Sequence, residues 1–166
     1  MKYRRIASIF VVTWALSACA MLQPVQLMPG ESESQVIAKL GRPTARMPDG
    51  KQHLLEYSRN PWGQEIYIAR FDQNNRLISY EQVLTVEKFA TIKPGVTSKT
   101  DVLRTFGHPS QTVYFSRLQL EAWTYPYKEY GVWNSEMNIY FDNNGIVKKT
   151  ENGQDLRFDR DSRFGF

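Results

Sequence analysis

Apolar and polar positions along this chain change their period in a fixed order, and the same order is met twice. Val36, Ile37 and Leu40 recur at the spacing of one helical face, and Val102, Leu103 and Phe106 repeat that spacing. Ser32 and Ser98 stand where an N-cap hydroxyl accepts from a free backbone amide. Gln35 and Asp101, three residues on, can reach back to complete a capping box. Gly41 and Gly107 suit the residue after a helix, and Pro43 and Pro109 prevent the helix from resuming. Helices of two or three turns do not persist in water unless they pack on something.

The pattern downstream supplies a sheet. Tyr67, Ala69 and Phe71, like Met137, Ile139 and Phe141, recur with period two. Asp72 to Asn75 and Asp142 to Gly145 then carry turn chemistry, with Asn75 and Gly145 tolerant of positive φ. Further strands are predicted at Gln52 to Tyr57 and Arg76 to Leu84, and again at Arg117 to Tyr125 and Gly145 to Thr150. Pro48-Asp49-Gly50-Lys51 reads as a tight hairpin. Val86 to Ile92 can add a leading helix to the second half, whereas Pro24 and Pro29 leave little room for one in the first.

The two halves correspond at an offset of 66 from Ser32 to Pro43, 68 at Leu55-Glu56-Tyr57 against Trp123-Thr124-Tyr125, and 70 at Tyr67–Asp72 against Met137–Asp142. An offset that only grows is what loop lengthening in a repeated unit produces. The expected fold class is α+β: two tandem units, 30–84 and 85–153, each a short helix or helix pair with a three-stranded antiparallel sheet. The two are expected to pack into one body, followed by a tail at 154–166.

The first residues change the picture of compartment. Lys2, Arg4 and Arg5 precede an uncharged apolar run, Ile6 to Leu16, too short to span a bilayer at the ~20 residues a helix needs. That is the build of a cleaved signal over 1–18. Leu16-Ser17-Ala18-Cys19 resembles the lipobox of bacterial lipoproteins, which implies cleavage between Ala18 and Cys19 and acylation of the Cys19 thiol. Cys19 is the one cysteine of the chain, so it has no internal disulfide partner. Residues 19–29 would then be a tether to membrane lipid. Ala20 stands where an Asp retains many such lipoproteins at the inner membrane, so the resemblance implies the periplasmic face of the outer membrane.

The whole chain carries a formal charge of +4. Losing 1–18 removes three basic and no acidic residues, leaving 18 Lys plus Arg against 17 Asp plus Glu, a balance of +1. Such a balance argues against nucleic acid as a partner.

Gly, a capped helix with Val near its start, Gly-x-Pro, an aromatic strand and Phe-Asp-x-x-Gly together resemble the SmpA/OmlA (BamE) lipoprotein family, here met once per half. The resemblance implies an outer-membrane lipoprotein that is accessory to the machine inserting β-barrels. Ala20 to Pro29 lacks the family's Tyr-x-x-Asp-Ile-x-Gln-Gly-Asn-like stretch, and two copies depart from the usual one. Tandem copies also resemble β-lactamase-inhibitor proteins, which implies a second class of role: an inhibitor or sensor gripping its target with a sheet face.

Candidate chemistry adds little. His53 and His108 fall in opposite halves, and His108, in a Gly-His-Pro stop, reads as a solvent-facing turn residue. No hydrolase elbow, P-loop or metal-ligand spacing is present. The expectation is a non-enzymatic binding protein without catalytic residues, metal or cofactor. Aromatic segments are the candidate surface: Trp62 in Asn60–Gly63, and Tyr127, Tyr130 and Trp133 at the matching place of the second half. They are either anchors for an envelope protein partner or rings covering a small core. The tail, Leu156 to Phe166, alternates aromatics with Arg and Asp and reads as frayed; Arg157 is offset by Asp155.

Overall fold

The structure is a computed structural model, and it describes residues 25–158. Two four-stranded antiparallel meanders make up most of it. Helix α1 (Glu33–Leu40) leads into β1 (Ala45–Asp49), β2 (Gln52–Ser58), β3 (Ile66–Phe71) and β4 (Leu77–Gln82), ordered β1-β2-β3-β4. A single helical turn, α2 (Val86–Phe89), and α3 (Lys99–Phe106) precede β5 (Gln111–Phe115), β6 (Leu120–Glu129), β7 (Trp133–Phe141) and β8 (Val147–Gln154), ordered β5-β6-β7-β8. A 3₁₀ turn, Leu156–Phe158, closes the described chain.

The expected helix caps form with both reciprocal bonds. The Ser32 hydroxyl accepts from the Gln35 amide and the Gln35 side chain accepts from the Ser32 amide; Ser98 and Asp101 do the same. Gly41 and Gly107 end the helices at φ 83° and 78° with ψ near −166°, a region that L side chains rarely enter. Turn bonds match as well. The Asp72 carboxylate accepts from the amides of Asn74 and Arg76, and the Asp142 carboxylate from those of Asn144 and Ile146. Both third predicted strands register with a bulge at the same place, after Arg70 and after Tyr140.

Each sheet has four strands rather than the expected three. The missed strands, β1 and β5, are edges. β1 buries only Met47, with Arg46 and Pro48 exposed on either side, and β5 buries no side chain, so the apolar signal of each is weak. Pro48 is tolerated because an edge strand has one side without ladder bonds. The hairpin read from Pro48 to Lys51 is present, with Asp49 opposite Gln52 and Gly50 at φ 62°. Residues 117–119 belong to the β5–β6 turn, not to β6 as expected; Gln119 takes a positive φ of 52° there.

Sheet one is an interior layer. Val36 of α1 packs with Leu55, Ala69, Phe71 and Leu77 on one face. On the other, Leu54, Ile66 and Ile68 join Val102 and Phe106 of α3, Phe89 of α2, and Tyr125, Tyr127 and Ile139 of sheet two. Adjacent residues such as Leu54 and Leu55 thus point into different cores, as a pleat requires. The alternation expected around Tyr67, Ala69 and Phe71 is therefore not apolar against polar, because Ile66 and Ile68 are buried too. One core shared across the halves makes them a single packed unit, and burying each large apolar side chain in it contributes about 1.5–3 kcal/mol.

Candidate partner-binding surface

Two loops and the end of the described chain build one rim. Arg59 to Glu65 links β2 to β3, closed by bonds from the Arg59 amide to Glu65 (3.1 Å) and from the Gly63 amide to Arg59 (2.7 Å). Gly63 is required there, since a Cβ would lie 2.4 Å from Arg59 Cβ. The loop throws Trp62 out, 88% exposed. In the second half, Tyr130 and Gly131 take φ of 50° and 74° in the β6–β7 turn, leaving Tyr130, Val132 and Trp133 exposed. A bulky residue held at positive φ costs about 1–2 kcal/mol, which the rest of the hairpin must offset. Leu156 and Phe158 add two more exposed apolar side chains.

A buried carboxylate ties these pieces together. Asp155 is 1% exposed, its amide bonds Asn134 in β7 (3.0 Å), and its side chain accepts from Gln64 Nε2 (3.0 Å) and Arg157 Nη2 (2.7 Å). Gln64 also bonds the Tyr127 carbonyl, while Arg157 Nη1 donates to the Pro61 carbonyl beside Trp62. Burial pushes the Asp155 carboxyl up, but the Arg157 and Gln64 hydrogen bonds outweigh it and hold the group below its ordinary range. Trp133 and Phe158 line a common groove with Glu129 and Asn152, and Pro61, Leu156 and Arg157 line the next.

Of the four expected anchors, Trp62, Tyr130 and Trp133 are at the surface. Tyr127 is a correction: its ring packs edge-on against Phe89 at 5.0 Å and its hydroxyl donates to Asn152 Oδ1. Burial, then the nearby Glu129, raise its pKa to about 12. Tyr127 follows the inward alternation of β6, so it is a core ring. Asp155 and Arg157, expected in a frayed tail, form the clasp instead. His108 is half in solvent, as a turn residue should be, but its Nδ1 lies 2.7 Å from Oε2 of buried Glu56 and its amide donates to the same oxygen at 3.0 Å. Glu56 and Gln64 had no local sequence signal, because their side-chain partners His108 and Asp155 stand 52 and 91 residues away. Ala18, Cys19 and the tail beyond Phe158 lie outside the described residues.

Residues 81–151 match the model of the outer membrane protein assembly factor BamE domain. The BamE match runs from the end of β4 through all but the last residues of β8, so it takes in α2, α3 and sheet two, with Tyr130 and Trp133 inside it. No curated protein matches the chain. Among solved structures, a DUF4309 family protein (YjgB) from Bacillus subtilis is similar at 12% identity over 75% of this chain and 78% of that one, with a TM-score of 0.31.

Proposed function

We propose that this chain is a non-enzymatic accessory factor of outer-membrane protein assembly, held at the periplasmic face of the outer membrane by lipid on Cys19. The observation that carries it is the BamE-domain match over 81–151, whose hairpin presents Tyr130, Val132 and Trp133 to solvent. Residues 30–84 are, in this reading, a diverged second copy of the same domain. It is supported by equivalent capping boxes, helix-ending glycines, Asp turns and bulges. Its loop adds Trp62 to the surface. Aromatics of this kind supply large contact area at low entropic cost and anchor interfaces when they enter a partner's pocket. The partner would be an envelope protein, a component of the barrel-assembly machinery, and the membrane contact would be through acyl chains rather than a spanning helix. Stacked acyl chains at ~0.8 kcal/mol per buried methylene hold such an anchor firmly.

Envelope fractionation tests the anchor, and co-purification from the same membranes tests the role. Wild-type protein should carry a lipid adduct by mass spectrometry, sediment with outer membrane and bring barrel-assembly components with it. Cys19→Ser should remain unprocessed or appear free in the periplasm. An unmodified wild-type Cys19 would sink the anchor; a lipidated protein that captures no assembly component would sink the role.

A further inference from the structure

The chain is already tied down where the described residues begin. Leu27 packs against the cluster of Val36, Leu55, Ala69, Phe71 and Leu77. The Gly30 amide donates to the Leu77 carbonyl at 2.8 Å, and Lys39 Nζ of α1 donates to the Gln26 carbonyl at 3.3 Å. Val25, the first described residue, shares a groove with Leu40, Arg42, Tyr57 and Arg59. The chain thus enters the fold at a fixed place, on the face of sheet one that carries α1.

Cys19 stands only six residues before Val25. At about 3.3–3.6 Å per residue those six reach at most about 20–22 Å, whatever path they take. Size scaling gives residues 25–158 a radius of gyration of about 14 Å, hence a body about 36 Å across. Acyl chains on Cys19 cannot reach round such a body to its far side. They hold the α1 side toward the bilayer, and the layers follow outward in the order α1, sheet one, α2 with α3, sheet two.

Two guanidinium groups stand beside the entry point. Arg42 is exposed and makes no hydrogen bond or ion pair with any described residue. Arg59 is exposed and reaches Glu65 at 3.5 Å, while Lys39 is held by Glu31 at 2.8 Å. Glu31 and Glu65 are each matched by a base, and Arg42 is left over. A basic side chain at an anionic leaflet favours the docked state about fivefold, and the planar fork of Arg suits a phosphate.

We propose that the face around Val25 is a membrane-docking surface, on which Arg42 and Arg59 contact the phosphates of anionic lipid headgroups while the short tether holds them there. The inference rests on acylation of Cys19 and adds what acylation alone leaves open, the orientation of the body. It is the same for every path of residues 19–24, across the groove or beside it. The outer side of β7 and β8, with Tyr140, Lys149 and Glu151, points away from the bilayer.

The test uses lipidated mature protein in vesicles of phosphatidylcholine, alone or with equal parts of phosphatidylglycerol, carrying a headgroup-nitroxide lipid as quencher. Mass spectrometry first reads the adduct on Cys19. A fluorophore is attached through Arg59→Cys, with Arg42 in place, or through Glu151→Cys; acylated Cys19 does not react. In mixed vesicles the label at 59 should be quenched at least threefold more than the label at 151. The contrast should shrink in phosphatidylcholine alone. Arg42→Glu should bring mixed vesicles down to that level, whereas Arg42→Lys should keep most of the gain. Arg42 is exposed and unpaired, so neither variant should shift the thermal melt. Equal quenching at the two positions, or stronger quenching at 151, overturns the orientation. Quenching at 59 that ignores both phosphatidylglycerol and Arg42→Glu overturns the headgroup contact. A Cys19 without lipid removes the anchor and this proposal with it, an outcome the mass spectrum separates from the other two.

Discussion

Gly107 sits where the two halves meet, and replacing it separates backbone strain from interface damage. Its counterpart Gly41 has almost the same dihedrals, φ 83° against 78°, so the backbone penalty of an L side chain is common to both. That penalty is about 1–3 kcal/mol for this region. At Gly41 an added Cβ meets nothing within 4 Å, whereas at Gly107 it would lie 2.9 Å from Glu56 Oε2, 3.0 Å from Glu56 Cδ and 3.1 Å from Ile66 Cγ2. Glu56 is 2% exposed, and its carboxylate accepts from the His108 amide and contacts the His108 ring, so moving it strips a buried charge of its partners. Leaving a buried charged group unsatisfied costs about 1–3 kcal/mol or more. Gly41→Ala should therefore cost about 1–3 kcal/mol and Gly107→Ala about 3–5 kcal/mol, the excess being the interface. At about 3–5 °C per kcal/mol for a body of this size, the two melting temperatures should separate by roughly 6–10 °C. Urea melts of both variants beside wild type give the same difference as free energies. Equal destabilisation by the two would show that Glu56 moves aside at no cost, and the role given to it at the joint would be wrong.

Three further outcomes follow from the same geometry. Val36→Asp and Val102→Asp each place a carboxylate at a fully buried position and should cost several kcal/mol in denaturant melts, whereas Ser34→Asp and Thr100→Asp, exposed in the first helical turns, should be neutral or mildly stabilising; four similar effects would remove the helices from the cores. Trp62→Ala and Trp133→Ala should change stability by less than about 0.5 kcal/mol, while Tyr127→Ala should cost about 3–5 kcal/mol as a core aromatic; thermal melts of the three decide it, and a collapse at Trp62 would return it to the core. Because Asp155 has a depressed pKa in the fold, its contribution is full above its ordinary value of 3.8 and fades as pH falls through the lower folded value. Arg157→Ala should move that loss to higher pH and cost about 1–2 kcal/mol at neutrality, less than a fully buried pair because Arg157 is 40% exposed; an unchanged acid limb in a circular-dichroism titration would contradict the clasp.

The elements legible in the sequence are those whose signal is local. Capping residues three apart, a glycine after the last apolar helix position and an Asp-x-x-Asn or Asp-x-x-Gly turn are stated within a dozen residues, and they led to α1, α3, and the turns before β4 and β8. Edge strands are different. β1 and β5 are held by hairpin registry to a neighbour, and with one buried side chain between them they carry too few apolar positions to mark a strand. That the halves pack together was expected, but the burial of sheet one on both faces was hidden. β3 reads as an ordinary strand until Ile66 and Ile68 are seen to face a second core. At the rim, exposure of Trp62, Tyr130 and Trp133 agrees with their place in matching segments, but Tyr127 is separated from them by the parity of β6. The Gln64–Asp155–Arg157 clasp joins residues 91 positions apart, and no periodicity encodes it.

The most direct test of the proposed role is site-specific photocrosslinking in intact cells, with a photoreactive residue placed at Trp62, at Trp133 and, as a control on another exposed site, at Leu118. Lipidated, folded protein should give adducts from Trp62 and Trp133 that mass spectrometry assigns to a component of the barrel-assembly machinery, with none from Leu118. Adducts from Leu118 alone, or none from either tryptophan while the protein stays folded and membrane-bound, would contradict the account.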